Sequence, residues 1–298
     1  MQDEILKTLL YYDIWRHPLT ARELFRFLPV NSVSFEEFAR QLHPSLRRPE
    51  VSETRGYFYL STHGPEIVIE RERRAAHARW LWRRARISMH LIRRFPFVRA
   101  VFVSGDLSKN STTPDSDVDF FILTEPNRLW IARTLLILFK KVFLLNSKKY
   151  FCLNYFAATS SLALDEQSLY VATEVATVKP LYNSELFTRY LEANRWIQRY
   201  FPNFALEAAE LPEVCNRHSV VQRILETLLR PFPLDRIDRA LLAMMERVWR
   251  RRYPELDEPT RSSIYRSTPT ESRAYAGNFQ EKILTLYRQR CAAHGIRA

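Results

Sequence analysis

Four of the chain's ten aspartates, Asp106, Asp115, Asp117 and Asp119, fall within fourteen residues of a protein whose 45 lysines and arginines outnumber its 33 acids. Crowded carboxylates repel one another, so such a run disfavours folding. It favours a hard cation, which takes oxygen ligands and commonly joins one or two carboxylates to substrate phosphates. Asp117 and Asp119 alternate, and in an extended segment alternation puts both side chains on one face, where they can share a metal ion. Gly105, one of only five glycines, lies twelve residues before Asp117. At the end of a strand a glycine lets the backbone bend sharply and approach a ligand with no Cβ in the way.

The two stretches Ser104-Gly105-Asp106-Leu107-Ser108-Lys109 and Pro114-Asp115-Ser116-Asp117-Val118-Asp119-Phe120 together resemble the signature of the DNA polymerase beta-type nucleotidyltransferase superfamily. That signature is Gly-Ser, a short helix, then Asp-x-Asp on a strand. The resemblance runs from residue 98 to residue 157. It implies transfer of a nucleoside monophosphate from a nucleoside triphosphate to an acceptor, usually a hydroxyl, with release of pyrophosphate and with Mg²⁺ (or Mn²⁺) as cofactor. Asp117 and Asp119 would be the shared metal ligands. Ser104, Gly105, Asp106 and the amides after them would cradle the β- and γ-phosphates, with Ser108 and Lys109 as helpers.

Two positions depart from the pattern. Asp106 stands where the family has serine, and its charge repels a triphosphate unless it is protonated, turned away or bound to metal. The family also needs a third carboxylate on a neighbouring strand, and Tyr150-Phe151-Cys152-Leu153-Asn154-Tyr155-Phe156 contains none. Asn154 is the first candidate for that place and Cys152 the second. An asparagine oxygen ligates Mg²⁺ weakly and cannot act as a general base. Asp165, Glu166 and Glu174 are carboxylates that a loop or helix could bring in. Two functions are therefore open: a Mg²⁺-dependent nucleotidyltransferase acting on an unknown acceptor, or a catalytically degenerate fold that binds nucleotide or DNA as a regulatory protein.

The elements that must position these groups follow from periodicity. Residues 98–103 and 118–123 read as strands, with a helix from a cap at Thr124 through Leu145 and a third strand over 150–157. Upstream, Ile5, Leu6, Leu9, Leu10 and Ile14 form one helical stripe. Thr20 with Glu23, and Ser34 with Glu37, are capping boxes that open two more short helices. Val51 to Leu60 reads as a hairpin turning at Arg55-Gly56. Three helices and a hairpin in residues 1–64 resemble a winged-helix domain, a fold used for DNA binding and equally for docking. Residues 65–96 form a basic helical connector carrying nine arginines between Arg71 and Arg94, read either as a wet-faced linker or as a nucleic-acid contact. Residues 97–180 hold the nucleotidyltransferase core. Residues 181–298 read as helical almost to the end, broken by Pro202, Pro212, Pro231, Pro233, Pro254 and Pro259. The class expected is α+β: a winged-helix-like N-terminal domain, a small mixed sheet with flanking helices, and a helical C-terminal region.

Bulk properties narrow the partners. A formal charge of +12 and a pI near 9.8 suit a polyanion, a nucleoside triphosphate or nucleic acid (DNA or RNA), and equally describe a solvated arginine-rich surface. The most apolar stretch, Leu129 to Leu145, carries Arg133, Lys140 and Lys141, so a buried helix is expected and no membrane partner. The acidic N-terminus does not read as a secretory signal, and three widely spaced cysteines, Cys152, Cys215 and Cys291, suit a reducing cytoplasm. The seven histidines form no ligand pair, and Ser104 and Ser108 lack a histidine of the nucleophile type. The run Trp196, Tyr200, Phe201 and Phe204 is expected in the core.

Overall fold

Ile5, Leu6, Leu9 and Leu10, all nearly inaccessible to solvent, make the inner stripe of helix α1 (Gln2–Tyr12), which a 3₁₀ turn ends. The computed structural model describes residues 1–31, 34–45, 48–147, 149–205, 214–273 and 279–297; Pro212, read as a helix breaker, lies outside them. A short strand β1 (Leu19–Thr20) leads into α2 (Ala21–Arg26), whose capping box at Thr20 and Glu23 closes in both directions. The amide of Glu37 donates to the Ser34 hydroxyl at 3.1 Å at the start of α3 (Phe35–Ser45). Strands β2 (Val51–Thr54) and β3 (Tyr57–Leu60) pair antiparallel through Arg55 and Gly56, both at positive φ, and β1 adds to the other side of β3. Two consecutive positive φ values match the right-handed twist of a tight hairpin.

Helix α4 (Glu66–Ile92) then crosses to the main sheet. There follow β4 (Val98–Ser104), the short helix α5 (Gly105–Ser108), β5 (Asp119–Thr124), α6 (Leu129–Phe143) and β6 (Cys152–Ala158). Next come α7 (Leu169–Thr177), β7 (Lys179–Tyr182), α8 (Ser184–Ala193), α9 (Val220–Leu229), α10 (Leu234–Arg252), α11 (Glu258–Ile264), β8 (Glu271–Arg273) and α12 (Phe279–Ala293). The main sheet is mixed, in the order β7-β4-β5-β6-β8, with β5 and β6 parallel and the other neighbours antiparallel. The protein is thus α+β.

Both faces of β4 and β5 are buried, so their sequences read as continuous apolar runs. Ala100, Phe102, Phe121 and Leu123 face a core shared with α7, α8 and the helices of the first 60 residues. Val101, Val103, Phe120 and Ile122 face α4 and α6. One apolar cluster therefore runs from Ile5 to the centre of the main sheet. Phe201 and Phe204 are buried in it, with Trp196 and Tyr200 packed against it, as their spacing led one to expect.

Three expectations need correction. The chain beyond Leu181 is not uniformly helical: β8 reaches back to pair with β6, so the sheet draws its last strand from the C-terminal region. Asp117 lies just before β5, not within it, although Val118 is tied into the ladder by its amide to the Lys149 carbonyl (3.0 Å) and its carbonyl to the Cys152 amide (3.1 Å). Thr124 does not cap α6. It ends β5, and α6 starts five residues later without a side-chain cap of its own. Its free amide at Ile131 donates instead to the buried carboxylate of Asp238 on α10, at 2.9 Å. Such an amide left in a dry interior is costly, which makes this contact from a distant helix necessary. Asp238→Ala is expected to destabilise the protein by about 1–2 kcal/mol, read as a lower urea midpoint with an unchanged slope; an unchanged midpoint would show that α6 finds its cap elsewhere.

Candidate functional site

Ser104 pairs with Asp119 across the β4–β5 ladder, so the chain bends out of β4 directly over that carboxylate. The bend is Gly105, at φ +67°, where a Cβ would stand 2.5 Å from Oδ2 of Asp119. Only a glycine fits, because the left-handed backbone and the close carboxylate both exclude a side chain. The Ser108 hydroxyl is buried and donates to the Gly105 carbonyl at 2.8 Å. It secures the turn of α5 from inside and is not among the residues that wall the cleft.

On the other side of β5, Asp119 is level with Cys152 of β6. One carboxylate oxygen from each of Asp117 and Asp119 and the sulfur of Cys152 lie within 4.8 Å of one another, a grouping able to hold a metal ion. The ladder then skips a residue: Phe120 pairs with Leu153 and Phe121 with Tyr155. Asn154 is the extra residue of this bulge. The third place beside the two aspartates, read first as Asn154, belongs by register to Cys152, while Asn154 lines the cleft further along.

The cleft has a volume of about 480 Å³ and is walled by Ser104, Gly105, Asp106, Lys109, Asp119 and Asn154 on the sheet side. Tyr12, Trp15 and His17 come from the N-terminal helices, Tyr170 and Glu174 from α7, and Arg266, Glu271 and Arg273 from β8 and the loop before it. The sequence reading missed these contributors, apart from Glu174, because none lies near the aspartate cluster in the chain. His17 is fully buried, and burial, followed by the charges of Arg71, Lys109 and Arg74, pushes its imidazole well below its ordinary value.

Charge is distributed unevenly. Glu174 accepts from Lys109 at 2.9 Å, Asp165 from Arg266 at 2.6 Å, Glu166 lies 3.5 Å from Arg273, and Glu271 meets both arginines. Asp106 turns toward Ser116, whose hydroxyl donates to it at 3.2 Å. Among the described residues, neither Asp117 nor Asp119 pairs with a lysine or arginine. Burial first, and then the charge of Asp117, push the Asp119 carboxyl up to about 6, with the Cys152 thiol pulling it partly back and Asp106 and Glu174 adding to the rise. Burial and the same two carboxylates hold the thiol well above its ordinary range, so it is neutral in the metal-free protein.

The residues fit a divalent cation: two carboxylates converge with no positive partner, and the missing charge is the one an ion supplies.

No protein-family model matches the chain, and neither the curated proteins nor the solved structures contain a match to it. The raised Asp119 carboxyl has a consequence for stability. A folded-state value near 6, above the ordinary 3.8, means that the folded protein holds the proton more tightly than the unfolded chain. The stabilisation is therefore complete below about pH 4 and lost as pH rises through 6. Without divalent ions, Asp119→Asn is expected to be more stable than the parent at pH 8 by roughly 2–3 kcal/mol, the advantage vanishing by pH 4. Chelator-treated urea titrations at both pH values measure it, and a pH-independent difference would contradict the account.

Proposed function

We propose that the cleft binds a nucleoside triphosphate together with a divalent cation and moves the nucleoside monophosphate to a hydroxyl acceptor. The observation that carries this reading is the pairing of two carboxylates, matched by no lysine or arginine among the described residues, with a left-handed glycine that brings bare backbone over one of them. Asp117 and Asp119 would hold the divalent cation. Such an ion, when bound, offsets charge on the α-phosphate and acidifies the attacking hydroxyl.

The chain's own residues have separable parts. Gly105 leaves room for phosphate oxygens beside the amides that follow it. Lys109, paired with Glu174 at the cleft wall, is positioned to exchange that partner for a phosphate. Asp106, which would repel the triphosphate, is drawn toward the Ser116 hydroxyl. Tyr155 and Tyr170 line the cleft and would be the aromatic residues for a base to stack on, an interaction that contributes about 1–3 kcal/mol. A volume near 480 Å³ is within the range of small-molecule sites.

A second reading, a degenerate site that binds nucleotide without transfer, is favoured by one observation: the residue level with Asp119 on β6 is Cys152, a thiol and not a carboxylate. A neutral thiol is a poor base for an acceptor hydroxyl.

The order helix, strand, helix, helix, hairpin in the first 60 residues supports a winged-helix-like module. Its α3 presents Glu36 to solvent and pairs Arg40 with Glu37 at 2.5 Å, and the hairpin's Arg55 leans on Glu72 of α4 at 3.3 Å. Acids at the start of a would-be recognition helix oppose phosphate contact. We infer that the module serves here as a wall of the cleft, through Tyr12, Trp15 and His17, rather than as a DNA reader.

Binding of radiolabelled nucleoside triphosphates with and without Mg²⁺ or Mn²⁺ tests the proposal. Metal-dependent binding is expected, weakened at least tenfold, or about 1.4 kcal/mol, in the Asp117→Ala, Asp119→Ala double variant. Equal binding by the double variant would reject the site. Transfer of label to any of a panel of RNA, protein or small-molecule acceptors separates the two readings: transfer excludes the degenerate one, and binding without transfer selects it.

A further inference from the structure

The residue level with Asp119 on the neighbouring strand is a cysteine, and sulfur changes which ion a site prefers. Ligand atoms about 2.0–2.3 Å from one ion stand roughly 3–4 Å apart. The sulfur of Cys152 and the oxygens of Asp117 and Asp119 already lie within 4.8 Å of one another. Small side-chain rotations would close that set.

The backbone holds all three residues in place. Val118, between the aspartates, is bonded on one side to Lys149 and on the other to Cys152, so Asp117, Asp119 and Cys152 share one rigid strip of ladder. Gly105 runs bare backbone past the same carboxylate, where a Cβ would stand 2.5 Å from Oδ2 of Asp119. Of the remaining cleft acids, Asp165, Glu166, Glu174 and Glu271 each have a lysine or arginine partner and Asp106 accepts from the Ser116 hydroxyl. Among the described residues, neither aspartate beside the thiol is paired with a lysine or arginine.

We propose that Cys152 is the third protein ligand of this metal site and that its sulfur sets the preference toward Zn²⁺ and Co²⁺ and away from Mg²⁺. The inference rests on the metal-site part of the reading above and is independent of nucleotide transfer. Thiolate is a soft ligand that suits zinc and cobalt, whereas Mg²⁺ keeps to oxygen and water. On binding, the S–H proton leaves to solvent and the sulfur lone pair takes the ion.

Co²⁺ titrated into the full-length, chelator-stripped protein reports the ligand directly, because cobalt bound to sulfur absorbs in the near ultraviolet. The expected result is a saturable sulfur-to-cobalt band that Zn²⁺ displaces and Mg²⁺ does not. Cys152→Ser, close in size, should lose the band and weaken Co²⁺ binding roughly tenfold or more. Cys152→Asp should lose the band yet let Mg²⁺ compete, and it carries the test should the serine variant fail to fold. Co²⁺ binding without the band, or a band that survives in both variants through Cys215 or Cys291, would overturn the assignment of Cys152 while leaving the aspartate site standing. Absence of any Co²⁺, Zn²⁺ or Mg²⁺ binding to the parent protein would overturn the metal site itself, and with it the functional reading.

Discussion

Two like charges held together in a half-buried place are the constraint around which the centre of this molecule is arranged. Water would ordinarily separate Asp117 and Asp119, yet the β5 ladder, the Gly105 bend and the Cys152 strand hold them where solvent screens them poorly. Burial first, and then the charge of Asp117, push the Asp119 carboxyl up to about 6. Most proteins relieve such a situation with an arginine or lysine. This one has 45 of them and spends those near the cleft on other acids.

That allocation also explains the odd placement of the arginines on α4. Arg71, buried, donates to the Asn110 carbonyl at 2.8 Å and to Glu23 of α2 at 3.3 Å, and Arg74 donates to the Trp15 carbonyl at 3.1 Å. The basic helix therefore does more than connect. It fastens the N-terminal helices to the loop that follows α5, with the guanidinium groups of Arg71 and Arg74 satisfying carbonyls. Because the apolar cluster is continuous from Ile5 to Phe121, the cleft wall made by Tyr12, Trp15 and His17 is fixed to the sheet that carries the aspartates.

What the sequence disclosed, and what it hid, divide along chain distance. The glycine bend, the strand, helix, strand succession around it, the Thr20–Glu23 capping box, the Ser34 cap and the Arg55-Gly56 turn rest on neighbours within a few residues, and local chemistry decides them. The cap on α6 was misread because Thr124 is a good local candidate, while the actual acceptor, Asp238, lies 107 positions from Ile131. Strand β8 was missed for a similar reason: three residues carry too little alternation to be read, and only pairing with β6 makes them a strand. Asn154 was preferred to Cys152 by residue chemistry alone. A one-residue bulge, invisible to a period-two reading, shifts the register there.

The electrostatics of the whole chain and of the cleft then point in opposite directions, and the contrast has a physical use. A molecule carrying +12 overall draws a polyphosphate in from a distance, since the long-range field follows net charge. At the cleft the balance reverses, because among the described residues Asp106, Asp119 and the neighbouring Asp117 are paired with no lysine or arginine while Lys109, Arg266 and Arg273 are already paired. A polyphosphate that crosses the outer field meets repulsion over the last few ångströms unless a divalent ion accompanies it or waits on the aspartates. If the cleft takes a nucleotide, its affinity for the nucleotide and its affinity for the metal must therefore rise together, each by the same factor, because a coupling free energy between two ligands is shared by both.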